Sequence, residues 1–202
     1  MRLSMMSWGI NNVPFRQKVC YNIRVLSSIS RSRSARSKGP HVLVYCDTNV
    51  YCRPLDNQSQ SRIKMETDAF LDILERVEED KITLVSSDIL SAEVGEIANL
   101  SKRRLVELYL SHCARHITVD LQIVQIANQL VRQCQLKPKD ALHIASACHG
   151  HVRYLLTCDD RVTKKRELVS NTTSQLGFEV KVLNPVKFLS LVETGGREGK
   201  GA

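Results

Sequence analysis

HVLVYCDTN, residues 41–49, is an apolar, β-branched run that stops on the polar cluster Asp47-Thr48-Asn49. A run of that length bounded by a polar cluster reads as a buried strand followed by a turn. Downstream, Ile63, Phe70, Ile73, Leu74 and Val77 recur at helical spacing among the charges of Arg62 to Asp80. Ile82 to Val85 is a second short strand, and Ser86, Ser87 and Asp88 offer N-cap chemistry for a helix to about Leu100. Lys102 to Cys113 reads as another helix and Ile117 to Val119 as a third strand. Asp120 to Gln135 is amphipathic, with Ile123, Ile126, Ala127, Leu130 and Val131 on one side. Pro138 opens a helix that runs to about Cys148. Tyr154 to Thr157 is a strand ending at Asp159-Asp160, and a basic helix follows. Phe178 to Leu183 is the last strand, stopped by Asn184-Pro185, before a short helix through Val192. Strands alternate with helices throughout. That order predicts an α/β fold in which helices cover both faces of a central parallel sheet of four to five strands.

The net charge of +8 suggests a nucleic-acid partner, but its location qualifies that reading. Residues 1–40 hold eight basic residues, among them Arg31, Arg33 and Arg36, and no Asp or Glu. The whole chain has 29 basic and 21 acidic residues, so 21 of each remain from residue 41 onward and that part is neutral overall. Residues 1–40 are rich in Ser and Arg without a sustained apolar period, and read as a basic, disordered extension. Three origins compete, in this order: an over-extended start, a basic arm for RNA phosphates, and an organellar transit peptide. Residues 41–193 form the expected domain, and residues 194–202 a disordered Gly-rich tail. No apolar run approaches the roughly 18 residues of a membrane-spanning helix, so no membrane partner is expected. The seven cysteines are odd in number and contain no CxxC pair, which argues against a disulfide framework or a zinc site. A reducing cytoplasm is the expected compartment.

In parallel sheets of this kind, ligands bind beyond the carboxyl ends of the strands. Asp47 and Asp159 stand at two such ends, Glu93 lies in the helix leaving the second strand, and Asp140 in the first turn of the helix opened by Pro138. Right-handed crossovers would bring all four to one edge. Two carboxylates about 5 Å apart repel by roughly 3 kcal/mol at an effective dielectric of about 20, so four together demand protons or a dication. An all-oxygen donor set selects a hard ion, Mg²⁺ or Mn²⁺, over Zn²⁺. Such an ion among carboxylates suits water attack on a phosphodiester.

These motifs resemble PIN-domain nucleases. The resemblance is carried by DTN at 47–49, SSDILSAE at 86–93, KPKDALHIASA at 137–147, YLLTCDD at 154–160 and VKVLNPVKFL at 180–189, in that order. It covers residues 41 to 193 and is closest to the VapC-like ribonucleases of toxin–antitoxin systems. It implies a three-layer α/β/α fold and a metal-dependent endoribonuclease of single-stranded RNA. It also implies Asp47, Glu93, Asp140 and Asp159 as catalytic and metal-holding acids. Thr48 and Asn49 would position Asp47 or a water, and Thr157 would support Asp159. The partners implied are an RNA substrate, an antitoxin protein and a second copy in a homodimer.

Plainer readings compete at each position. Asp47 alone could cap a turn, and Asp140 could be a first-turn helix acid favoured by the macrodipole. Glu96, one helical turn from Glu93, is read as a rim residue pairing with a base, and Asp160 as the cap of the Arg161 helix. His143 sits one turn beyond Asp140 and is read as a packed, hydrogen-bonded residue before a general base. Lys164, Lys165 and Arg166 could hold RNA phosphates or form a solvated face. For the whole protein, a catalytically silent PIN-fold module for nucleic-acid or protein binding is the alternative to an enzyme. A phosphatase of the aspartyl-phosphate type would want a second Asp two residues after Asp47, where Asn49 stands.

Overall fold

The computed structural model describes residues 42–198, with side chains described to Thr194. The expected basic extension over 1–40 and the end of the Gly-rich tail lie outside the described residues. Five parallel strands form one sheet: β1 (Val42–Cys46), β2 (Ile82–Ser87), β3 (Arg115–Ile117), β4 (Tyr154–Leu156) and β5 (Lys181–Leu183), in the order β3-β2-β1-β4-β5. The helices between them are α1 (Thr48–Cys52), α2 (Ser61–Glu78), α3 (Asp88–Gly95), α4 (Leu100–Leu110), α5 (Leu121–Cys134), α6 (Pro138–His149), α7 (Asp160–Thr163), α8 (Arg166–Gln175) and α9 (Pro185–Glu198), with a 3₁₀ turn at Arg53–Leu55. Among the described residues, no helix is long and apolar enough to cross a membrane.

Strand alternation builds the three layers. Tyr45, Val85 and Leu155 point to one face and pack with Ile123, Leu130 and Ile144 of α5 and α6. Val44, Cys46, Leu84 and Leu156 point to the other and pack with Phe70, Ile73, Tyr109 and Phe188 of α2, α4 and α9. The sheet is α/β/α and all-parallel, as the alternation of elements predicts. Chain order reverses between β1 and β4, which lie side by side in the register Cys46↔Leu156. That is the switch point at which an open parallel sheet forms a ligand crevice.

Several boundaries differ from the sequence reading, each for a local reason. The third strand covers Arg115–Ile117 and not 117–119, because the Val119 N–H leaves the ladder to donate to Asp88 Oδ2 at 2.9 Å. The last strand starts at Lys181 and not Phe178, because the Phe178 N–H closes the end of α8 on Thr173 O. The helix expected to reach Leu100 stops at Gly95, and Asn99 caps a new one through Lys102 N at 2.9 Å. The expected turn after Asp47 is one turn of helix, α1. The last helix passes Val192 and continues to Glu198, since two glycines near a helix end weaken it without forbidding it.

Glu66 locks the corner nearest the strand ends. Its buried carboxylate accepts from Arg62 Nε at 2.9 Å and Asn184 Nδ2 at 2.8 Å. It also lies 2.6 Å from Arg53 Nε, an ion pair that is off line for a hydrogen bond. One side chain thus ties α2, the 3₁₀ turn and the β5–α9 corner together. Glu66→Ala should cost about 2–4 kcal/mol by urea denaturation, because it removes a buried carboxylate that pairs with Arg53 and Arg62 and accepts from Asn184. A Glu66→Ala midpoint equal to wild type would show that this corner does not depend on the carboxylate.

Candidate active site

Asp47 follows β1 directly, and its backbone N–H donates to Leu156 O of β4 at 2.9 Å, placing its side chain at the switch point. The residue is only 8% exposed. Thr157 Oγ1 donates to Asp47 Oδ2 at 2.9 Å and Asn49 Nδ2 donates to the same oxygen at 2.6 Å. Asn49 also accepts the Cys158 N–H at 2.8 Å, so it bridges the ends of β1 and β4. Burial, partly offset by His143 and Thr157, raises the Asp47 pKa above the ordinary carboxylate value.

Glu93 and His143 complete a tight group. One ligand atom from each of Asp47, Glu93 and His143 lies within 4.8 Å of the others. His143 Nε2 is 3.0 Å from Glu93 Oε2 and 3.8 Å from Asp47 Oδ1. Thr48 Oγ1 donates a short hydrogen bond to Glu93 Oε2. On the far side of the ring, His143 Nδ1 lies 2.7 Å from Tyr45 OH, which lies 2.6 Å from Ser87 Oγ. Ser87 Oγ accepts the Leu90 N–H as the cap of α3, the helix that carries Glu93. With neutral His143 protonated on Nε2, the chain is satisfied in one direction: Ser87 to Tyr45, Tyr45 to His143, His143 to Glu93. The His143 hydrogen bond is the chief cause holding the Glu93 pKa below its ordinary value. Burial works to lower the His143 pKa, but the Glu93 hydrogen bond and the charges of Asp47, Glu93 and Asp140 outweigh it and raise it.

The other two acids stand differently. Asp140, in the first turn of α6, is half-buried, and its pKa is raised by burial first and then by the charges of Asp47 and Asp159. Asp159 turns toward Arg161, whose Nη2 lies 2.5 Å from Oδ2 and whose backbone N–H donates to Oδ1 at 2.8 Å. Those contacts hold the Asp159 pKa low. The tight group therefore contains Asp47 and Glu93, with Asp140 in their field and Asp159 paired outside it.

The supporting residues are distributed differently from the expectation. Thr48 holds Glu93, not Asp47. Thr157 donates to Asp47 while accepting the Asp159 N–H at 3.1 Å, so it serves both strand ends. Asp159, not Asp160, caps α7; Asp160 instead takes both terminal nitrogens of Arg62 at 2.6 Å. Glu96 pairs with Lys139 at 2.7 Å on the rim. Lys165 Nζ donates to Cys134 O and Gln135 O, where the left-handed Gln135 ends α5. Arg166 pairs with Glu167 at 3.2 Å. Sequence assigns no site role to Tyr45 or Arg161, and to Ser87 only the N-cap role that it fills. Tyr45 had a signal: it lies two residues before Asp47 on the same strand face, with a polar tip that burial obliges to find a partner.

A family model described as PIN domain matches residues 44–168. The chain belongs to the PIN domain family. PIN domains are nucleases, and the matched span contains all four acids. Among solved structures, the PIN fold here is similar to that of VapBC2 from Rickettsia felis bound to a DNA fragment from their promoter. The identity is 17% and the TM-score 0.49, over 71% of this chain and 98% of that chain. No curated protein matches this PIN chain in sequence.

The donor chemistry fits a hard dication: carboxylate oxygens of Asp47 and Glu93 meet beside His143, Asp140 lies in their field, and burial raises the pKa of both Asp47 and Asp140. Tyr45→Phe should leave His143 Nδ1 buried without its partner and cost about 1–3 kcal/mol. Chemical denaturation with the far-ultraviolet spectrum unchanged is the measurement. A loss below the error of the fit would mean that the chain from Ser87 to Glu93 carries no stability.

Proposed function

We propose that this PIN domain is a metal-dependent endoribonuclease that hydrolyses phosphodiester bonds in single-stranded RNA. Asp47, Glu93 and Asp140 would hold Mg²⁺ or Mn²⁺, and Asp159 would complete the acidic set. The observation that carries the reading is the approach of Asp47 and Glu93 within a 4.8 Å group at the switch point of a parallel sheet. The dication, when bound, supplies Lewis-acid stabilisation of phosphoryl charge and acidifies water. The chain's own residues do the positioning. Asn49 and Thr157 fix one Asp47 oxygen, and the other faces His143. Thr48 and His143 fix Glu93 from two sides. Fixed carboxylates lose little freedom when a ligand arrives, which favours both affinity and geometry.

The motif resemblance extends the reading to the toxin of a toxin–antitoxin pair. A small open reading frame encoding an inhibitor beside this gene would be its genetic signature. A silent binding module is the second reading, and one contact favours it: Arg161 already neutralises Asp159. Calorimetry with Mn²⁺ separates the two, because a silent module need bind no metal at millimolar concentration.

Wild-type protein should cleave single-stranded RNA only with Mg²⁺ or Mn²⁺, and chelation should stop it. Asp47→Asn should reduce cleavage by at least about 100-fold, the cost of losing a charged group at a metal site. Retained cleavage in that variant would rule the mechanism out. Metal affinity should also rise with pH. The raised Asp47, Asp140 and His143 pKa values mean that the metal-free site keeps protons to higher pH, and these must leave as the dication enters. Titration at pH 5.5 and 7.5 should therefore give weaker Mn²⁺ binding at the lower pH, with protons released to the buffer. Equal affinity at both would contradict this assignment of ligands.

A further inference from the structure

Two basic cavities flank α7, the short helix that Asp159 caps. The first, about 360 Å³, is lined by Asp140 together with Lys137, Arg161, Lys164 and Lys165. The second, about 350 Å³, lies at the carboxyl end of β5 and is lined by Arg62, Lys164, Arg166 and Lys187, with Asp160 and Asn184. Each places four cations against one acid. Lys164 lines both, so the cavities adjoin along the Asp160–Thr163 helix.

The cations divide by occupation. Arg62 is committed to Asp160 and Glu66, Lys165 to the end of α5, Arg161 to Asp159 and Arg166 to Glu167. Lys137, Lys164 and Lys187 are exposed and have no ion pair among the described residues. Concave, single-sign surfaces focus potential and concentrate counter-charge more strongly than a flat face does. In a segment that is charge-neutral overall, two adjoining cationic cavities beginning at Asp140 are a local departure from that balance.

We infer that the two cavities form a continuous track for the sugar-phosphate backbone of a single-stranded nucleic acid. On the ribonuclease reading, the scissile phosphodiester lies at the acids and a neighbouring phosphate lies beside Lys164. A further phosphate reaches Lys187 and Arg166 at the end of β5. The inference rests on the proposed function for its direction, from acids to cations, but not for the binding itself. Phosphate contacts of this kind position a strand without reading its bases. The track therefore supplies affinity and register, and sequence preference comes from elsewhere.

The test uses the full chain and a fluorescent single-stranded RNA oligonucleotide, with Ca²⁺ in place of Mn²⁺, read by anisotropy. Lys164→Ala and Lys187→Ala should each weaken binding by about 5–10-fold, and the pair by more than 20-fold. The pair should also flatten the slope of log affinity against log salt by roughly 1.4, about 0.7 for each lost phosphate contact. The Mn²⁺ dissociation constant should stay within twofold of wild type. Lys181→Ala, at the amino end of the same strand and therefore on the opposite sheet edge, removes the same charge and should change nothing. Loss in the Lys164→Ala/Lys187→Ala double variant no greater than in Lys181→Ala would overturn the track, as would a wild type that binds no single strand. A wild type that binds RNA through these lysines but never cleaves it would sink the nuclease reading and leave the track standing.

Discussion

A buried carboxylate at the end of a central strand is the constraint on which the rest of this structure depends. Asp47 is taken out of water, and burial alone would push it toward the neutral acid. The fold answers with donors on one oxygen and with His143 near the other. Those donors come from elements that must then stay in register. Asn49 reaches across to the Cys158 N–H, and Thr157 belongs to the end of β4. The β1–β4 junction and the Asp47 environment are therefore one object: moving β4 by one residue would exchange Thr157 for a neighbour on the opposite face.

Glu93 is held by a second route, which shares His143 with the first. Its helix is capped by Ser87, and the same hydroxyl closes a hydrogen-bonded chain through Tyr45 and His143 back to the Glu93 carboxylate. The route crosses β2, β1 and α6 before returning to α3. Backbone capping and side-chain orientation of one acid thus share a single hydroxyl. The consequence is that Glu93 is oriented by the core and not by solvent. His143 earns its burial as a link in that chain, which is the packed, hydrogen-bonded role its apolar helix suggests.

How much of this is legible in sequence varies with the range of the signal. The layer order follows from alternation of short β-branched runs with 3.6-period segments, and HVLVYCDTN alone places Asp47 at a strand end. The edges of elements are less legible, because side chains compete for them. Asp88 draws the Val119 N–H out of β3, and Asn99 restarts a helix that hydrophobic spacing carries onward. Within the site, residue types were legible and partners were not. Thr48 adjoins Asp47 in sequence but bonds Glu93, 45 residues away. Asp159 takes the capping role expected of Asp160, and Arg62 reaches Asp160 from α2, a contact that no local pattern announces.

Charge shows the same division between composition and place. The segment from residue 41 onward is neutral in sum, which removes bulk charge as an argument for a nucleic-acid partner. Folding then separates the signs. Acids gather in the crevice between β1 and β4, while Lys137, Arg161 and Lys164 gather beside Asp140, and Lys187 and Arg166 lie beyond them. Repulsion among the acids has to be offset by protons or a cation, and the adjoining lysines are too exposed to offset it at close range. Their field instead favours a polyanion lying along the surface. A small cation inside and a polyanion outside is the pairing that the proposed phosphodiester chemistry would demand, and neither half of it is visible in the net charge of the chain.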